Sequence, residues 1–236
     1  MICREFNCLF VHVPKTAGQS IEQFFMSRLG CSWERDADRE RFLLSVNPDR
    51  TCGTRKLAHL SAAEYVACGH LSPQDFQGLY KFSFVRNPWQ RLVSEYLYRN
   101  YFSHRSFGDF VLRRLPRAGW DDQYRHIMPQ YDMLHDAGGR LLVDFVGRFE
   151  NLQQDFEIVC EQLGIGAAQL PHRNPSDKAS RRLRRRARNS LWRNGENAKR
   201  HWTEFYDEQT LGVVSELYRK DIEAFGYRFP VEAGAA

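Results

Sequence analysis

The sequence predicts an α/β domain in which a central parallel sheet is flanked by helices, and two stretches carry that expectation. In the first, Leu9-Phe10-Val11-His12-Val13 reads as a buried strand and Pro14 to Ser20 as a tight turn. Ile21, Phe24 and Phe25 then form the apolar face of a helix. In the second, Lys81 to Val85 is a buried strand broken by Arg86-Asn87-Pro88. Trp89, Leu92, Val93, Tyr96 and Leu97 follow at helical spacing, with Pro88 suited to a first helical turn. Repeated strand-turn-helix units favour parallel strands with crossover helices. A chain of 236 residues with 42% apolar and 14% aromatic residues is long enough to bury a sizeable core, so a single domain spanning 1–236 is expected.

The first turn is small, polar and basic. Backbone N–H groups can crowd around one point at the positive end of the following helix, which makes a ready anion site, with Lys15 as the charge. An ordinary connection with a solvated lysine is the plainer alternative. A phosphate loop for nucleoside triphosphates would need G-x-x-x-x-G-K-[ST], with a hydroxyl for magnesium directly after the lysine. Here the lysine comes first and the single Gly18 follows. The second turn also presents a cation at a helix start. An Arg86 fork with the Ser94 hydroxyl suits a phosphate monoester, whereas pairing with a carboxylate such as Glu95 would make Arg86 structural.

Between the two units the pattern is weaker. Residues 31 to 56 read as a surface excursion with a short apolar patch at Phe42, Leu43 and Leu44. Leu57 to Leu60 and Tyr65 to Gly69 read as short strands, or as a strand and a helical turn, the second ending at His70. Further on, Val143 to Leu163 is a strand-turn-helix, and Tyr218 to Tyr227 holds an amphipathic helix ended by Gly226.

Charge is localised. Between His172 and His201 eleven Lys or Arg stand against Asp177 and Glu196, a net +9; with +5 for the whole chain, the remainder is −4. Such a segment suggests a localised anionic partner. No aromatic residue interleaves the arginines of 181–188, which argues against nucleic acid; a solvated basic helix is the plain alternative. The six cysteines lack C-x-x-C pairs and read as reduced thiols. With no apolar stretch of 18 residues and no leader pattern, neither a membrane anchor nor a signal peptide is expected, and the simplest location is the cytoplasm. No metal site is expected: Asp121 and Asp122 would diverge, and no His/Asp/Glu cluster shows ligand spacing.

Together, Pro14-Lys15-Thr16-Ala17-Gly18-Gln19-Ser20 and Arg86-Asn87-Pro88-Trp89 with Ser94 resemble the sulfotransferases that use 3′-phosphoadenosine 5′-phosphosulfate (PAPS), and among them the carbohydrate (heparan 2-O and chondroitin-type) branch. The resemblance covers roughly two-thirds of the chain, with 31–56 and 100–140 contributing little, and implies a P-loop-like nucleotide-binding fold. It implies that Lys15, Thr16, Ala17, Gly18, Gln19 and Ser20 hold the 5′-phosphosulfate and that Arg86 and Ser94 hold the 3′-phosphate. Asn174 and Ser176, in the segment 172–201, would close over the nucleotide. Cys68-Gly69-His70 stands where the uronyl 2-O enzymes carry His-Gly-His, so His70 is the implied base; Cys68 in place of the first histidine weakens the link to uronic acid. His12, inside a strand, is expected to be a packed, hydrogen-bonded residue.

The expected function is transfer of a sulfuryl group from PAPS to a hydroxyl of a carbohydrate or glycoconjugate, without a metal. Lys15 would stabilise the leaving phosphate. A nucleotide-dependent kinase of related fold, or a non-catalytic module binding nucleotide or acidic glycan, are the alternatives.

Overall fold

A computed structural model describes residues 1–49, 51–166, 168–171 and 200–230. In chain order the first elements are β1 (Ile2–Cys3), β2 (Cys8–Val11), α1 (Gly18–Arg28), α2 (Asp36–Arg41), α3 (Glu64–Ala67), α4 (Pro73–Gly78) and β3 (Tyr80–Val85). There follow α5 (Pro88–Tyr98), α6 (Phe107–Arg113), α7 (Asp122–Ile127), α8 (Gln130–Leu134), β4 (Phe145–Arg148), α9 (Leu152–Gln162), α10 (Glu208–Leu217) and α11 (Arg219–Phe225). Short 3-10 turns lie between them, among them Leu57–His59. The chain divides into two compact units, residues 1–86 with 117–173 and residues 87–116 with 174–236.

The first unit carries a four-stranded sheet of order β1-β2-β3-β4, an α/β arrangement as expected. β1 pairs antiparallel with β2, whereas β2, β3 and β4 run parallel. Val11 lies opposite Ser83, and Val85 opposite Arg148, so the carboxyl ends of β2, β3 and β4 open on one edge. In such sheets that edge is where ligands bind. Phe10 stacks on Phe82 across the strands (5.2 Å between ring centres), and Phe24 of α1 meets Phe156 of α9 edge-on at 5.0 Å. These rings are buried, each stabilising the unit by about 1.5–3 kcal/mol. Gly147 lets β4 approach β3: a Cβ there would lie 2.5 Å from the Phe84 ring.

In the stretch 57–70 the strand expected over Leu57 to Leu60 does not form, whereas the second part takes the helical turn that was the alternative to a strand. Leu57–His59 is a 3-10 turn and Glu64–Ala67 is α3, so His70 follows a helix and not a strand. The reason is local: the Glu64 carboxylate accepts from the Ser61 N–H at 2.8 Å, closing a turn at the head of α3. Ser72 then caps α4 by accepting from the Asp75 N–H, with Pro73 in its first turn. Phe42 and Leu44, within the surface excursion, are buried in the core.

The second unit is helical. Asn87 caps α5 by accepting from the Gln90 N–H, and Trp89, Leu92, Val93 and Tyr96 form its buried face. Tyr96 packs against Phe107, Phe110 and Phe205, while the Trp89 indole donates to Ser215 (3.1 Å). Asp207 and Thr210 cap α10 reciprocally. Gly226, at φ 65°, ends α11 in the left-handed conformation that favours glycine.

Candidate functional site

The turn after β2 gets its shape from its own backbone. Lys15 and Ala17 adopt φ of 75° and 67°, a left-handed conformation that is costly for residues with a Cβ. The buried Thr16 between them donates its hydroxyl to the Val13 carbonyl at 2.8 Å. α1, eleven residues long, begins at Gly18 without a side-chain cap, and of its first N–H groups that of Ser20 donates to the Ala17 carbonyl at 2.9 Å. Lys15 is half-buried and Gln19 exposed at the same place. This turn brings together all six residues, Lys15 to Ser20, expected around a phosphosulfate.

Gly18 is required for a second reason. A Cβ at position 18 would lie 2.2 Å from the His12 ring, so that imidazole is packed directly against the head of α1. His12 is buried, and its Nδ1 lies 2.7 Å from the Glu22 carboxylate on the next turn of α1. It is packed and hydrogen-bonded as expected, although β2 ends at Val11 and leaves it just beyond the strand rather than inside it.

The turn after β3 meets the first. The Arg86 guanidinium donates to the Lys15 carbonyl at 3.1 Å and lies over the Phe149 ring at 4.1 Å. Its backbone is clamped by Gln130: the Arg86 N–H donates to Oε1 and the Gln130 amide donates to the Arg86 carbonyl, both at 2.8 Å. Glu95, the carboxylate named as an alternative partner for Arg86, accepts from Arg99 at 2.7 Å. Ser94 is half-buried on α5 in the second unit. Asn174, Ser176 and the arginines of 181–188 lie outside the described residues.

His70 is half-buried in the bend before α4. Its Nε2 is buried and has no hydrogen-bond partner among the described residues, and burial pushes its pKa below the ordinary histidine value. Cys68, two residues earlier, lies against Cys52 with its sulfur 2.6 Å away, and both are free thiols.

A histidine cluster that the spacing did not reveal lies beside the first turn. His59 meets His12 edge-on at 5.2 Å and His126 edge-on at 4.9 Å between ring centres. Asp121 caps α7 by accepting from the Gln123 and Tyr124 N–H groups. Asp122 therefore diverges from it, as expected, and its Oδ1 lies 3.2 Å from His59 Nδ1 and 3.7 Å from His126 Nε2. The ligating atoms of His59, Asp122 and His126 all fall within 4.8 Å of one another, although no ligand spacing was seen in the sequence. The positive charge beside Asp122 is supplied by the chain itself, through Lys56 Nζ at 3.1 Å from Oδ2. Burial alone would raise the Asp122 pKa, but the hydrogen bond from His59 and the adjacent cationic groups hold it well below the usual carboxylate range. His59 is pushed down to about 3, by burial first and by the neighbouring histidines. The sequence signal that would have found this pair is Asp122-x-x-x-His126, one face of a helix.

Glu64 and Arg125 hold the cluster in place. The guanidinium, almost fully buried, forms two hydrogen bonds to the carboxylate, at 2.5 and 3.0 Å, tying α7 to α3. A separate cleft of about 470 Å³ opens near the start of β3, lined by residues including Lys81, Asp144 and Phe76, and holds none of the expected site residues. No helix among the described residues is long and apolar enough to cross a membrane.

A protein of Archaeoglobus fulgidus, described only as uncharacterized, is 36% identical over 94 residues, covering 38% of this chain and 72% of that protein. No solved structure matches the chain. The model of the sulfotransferase family matches residues 1–228, the turns after β2 and β3 included, and the chain belongs to that family.

Proposed function

We propose that the protein transfers the sulfuryl group of PAPS to a hydroxyl of a carbohydrate or glycoconjugate by in-line displacement. Sulfuryl transfer as such follows from the family, which generally uses PAPS as donor; the acceptor class and the residue roles are this reading's own. The observation that carries it is the contact between the two cationic turns, Arg86 on the Lys15 carbonyl at 3.1 Å, at the carboxyl ends of neighbouring parallel strands.

The donor set suits a doubly anionic nucleotide. The amides from Thr16 to Ser20 would hold its 5′-phosphosulfate, and Lys15 would neutralise the charge that develops on the departing phosphate oxygen. Arg86 and Ser94 are the groups assigned to the 3′-phosphate, and Asn174 and Ser176 to closure over the nucleotide. A histidine takes the acceptor's proton as its oxygen approaches sulfur; His70 is the candidate that the family pattern supplies. The arginines of 181–188 would favour an acidic glycan, with binding that weakens as salt rises.

Calorimetry with 3′-phosphoadenosine 5′-phosphate and with AMP tests the nucleotide assignment. A charge-assisted contact is worth about 1.5–3 kcal/mol, so AMP should bind roughly tenfold more weakly or worse. Equal affinities would remove Arg86 and Ser94 from the site. Turnover should also survive a chelator and should fail with ATP in place of PAPS; phosphorylated product would restore the kinase alternative.

A further inference from the structure

We infer that Cys52 and Cys68 are a paired modification site, which a low-molecular-weight disulfide such as oxidised glutathione converts to an intramolecular disulfide that staples the turn around Gly53 to the end of α3. This chemistry belongs to the two thiols alone and needs neither sulfuryl donor nor acceptor.

The two residues lie sixteen positions apart in the chain, yet their sulfurs stand 2.6 Å from each other. Both are half-buried, whereas Cys3, Cys8, Cys31 and Cys160 are buried. A soluble oxidant therefore reaches this pair before the others. No histidine or carboxylate joins the two sulfurs in a ligand group among the described residues, which sets the pair apart from a metal site.

The backbone on each side fixes the meeting. Val46 bridges Lys56 in antiparallel fashion, and the Asn47 N–H donates to the Arg55 carbonyl at 2.8 Å. The side-chain amide of the buried Asn47 then donates to the Cys52 carbonyl, also at 2.8 Å. Opposite, the Cys68 N–H donates to the Glu64 carbonyl at 3.0 Å and ends α3. Gly53 makes the room. It adopts φ of 88°, and a Cβ there would lie 3.3 Å from the Cys68 sulfur and 3.4 Å from both Asn47 and Leu60.

Burial first, and then the contact with Cys52, pushes the Cys68 thiol up to about 12, so Cys68 keeps its proton and the opening attack falls to Cys52. The Cys52 sulfur, its proton lost to solvent, bonds to one sulfur of the oxidant. The oxidant's S–S bond breaks, and one glutathione leaves as a thiolate with that electron pair. Cys68 next gives its proton to solvent and attacks the Cys52 sulfur of the mixed disulfide, expelling the second glutathione thiolate. The two thiolates take up the two protons, so the pair has lost two electrons and two protons and the oxidant has gained them. Lys56, His59 and Glu64 lie inside the closed ring, and these are the residues that hold α7 through Asp122 and Arg125. Oxidation restrains all three anchors at once.

The test is exchange of the full chain with oxidised glutathione, then alkylation under denaturing conditions without reductant, peptide mapping and mass spectrometry. The wild type should lose two hydrogens, yield one peptide pair joined through Cys52 and Cys68, and leave the other four cysteines open to alkylation. Cys68→Ser should stop at a glutathione adduct on Cys52. Cys52→Ser should gain its adduct on Cys68 at least about tenfold more slowly. The oxidised wild type should melt about 5–10 °C above the reduced form, a difference that vanishes in either serine variant. A lasting glutathione adduct in the wild type, alkylation of all its cysteines after exchange, or a cross-link between other cysteines overturns the pairing. Equal melting temperatures of the two forms overturn the staple. If a serine variant does not fold, the wild-type peptide map decides the pairing by itself. None of these outcomes touches sulfuryl transfer, which stands or falls on turnover.

Discussion

The turn Pro14–Ser20 and the segment Asp121–Leu134 serve the same edge of the sheet by opposite means. The turn is made by its own backbone, through two left-handed residues, a buried threonine hydroxyl and a glycine at the head of α1. The segment is made by side chains that reach partners far along the chain: Asp122 to His59, Arg125 to Glu64 and Gln130 to Arg86, separated by 63, 61 and 44 residues. One region offers charge and amides whatever surrounds it. The other has a role only once the sheet has brought distant residues together. A turn of this kind needs local geometry; a hydrogen-bonded pair such as His59 and Asp122 needs long-range placement.

Substitutions can separate the two means. The largest effect is expected in the turn: Lys15→Ala should lower turnover by about 10² to 10³ and also weaken nucleotide binding, because in the proposed role the ammonium would face both the bound anion and the charge of the transition state. Steady-state kinetics beside calorimetry would read both, and an effect on binding alone would confine Lys15 to holding the nucleotide. In the segment, Gln130→Ala leaves the Arg86 N–H and carbonyl without their clamp at 2.8 Å. A destabilisation of about 1–3 kcal/mol in urea unfolding is expected, together with weaker discrimination between the 3′-phosphorylated nucleotide and AMP. Unchanged discrimination would show that the Arg86 position does not depend on the segment.

The smallest effect concerns pH. His59 stays neutral when folded down to about 3, whereas an unfolded histidine takes its proton near 6.5. Between those values the unfolded chain binds more protons, so stability is full above about pH 6.5 and declines as pH falls through that window, by at most about 1.4 kcal/mol per pH unit. Asp122, held below the usual carboxylate range, adds a loss in the same direction below about pH 4. Denaturation midpoints at pH 7 and pH 5 should diverge in the wild type and converge in His59→Gln. A wild type equally stable at both would mean that His59 is charged in the folded protein.

What was legible in the sequence divides along the same line. The turn, its lysine, the strand before it and the helix after it follow from contiguous residues, as do β3 with Arg86, β4 with α9, and Gly226 at the end of α11. Residues 100–140 contributed little to the resemblance, yet they supply Asp122, Arg125, His126 and Gln130 to the sheet edge. No local pattern announces that Asp122 faces His59, because nothing in the intervening residues encodes the distance between them. The helix over Glu64–Ala67 was ambiguous for another reason. It is only four residues long, and its turn is closed by one side-chain contact rather than by a period.

The left-handed Lys15 and Ala17 also bear on the entropy of binding. Each costs of order 1–3 kcal/mol to hold, a cost met by the fold and not by the ligand. A loop bent in advance leaves little backbone freedom to be lost when an anion arrives. Ala17→Gly would relieve that strain and raise the melting temperature, yet it would also let the loop wander between ligands. The same exchange that strengthens the fold should then slow nucleotide capture, so position 17 trades rigidity of the empty protein against the speed with which it fills.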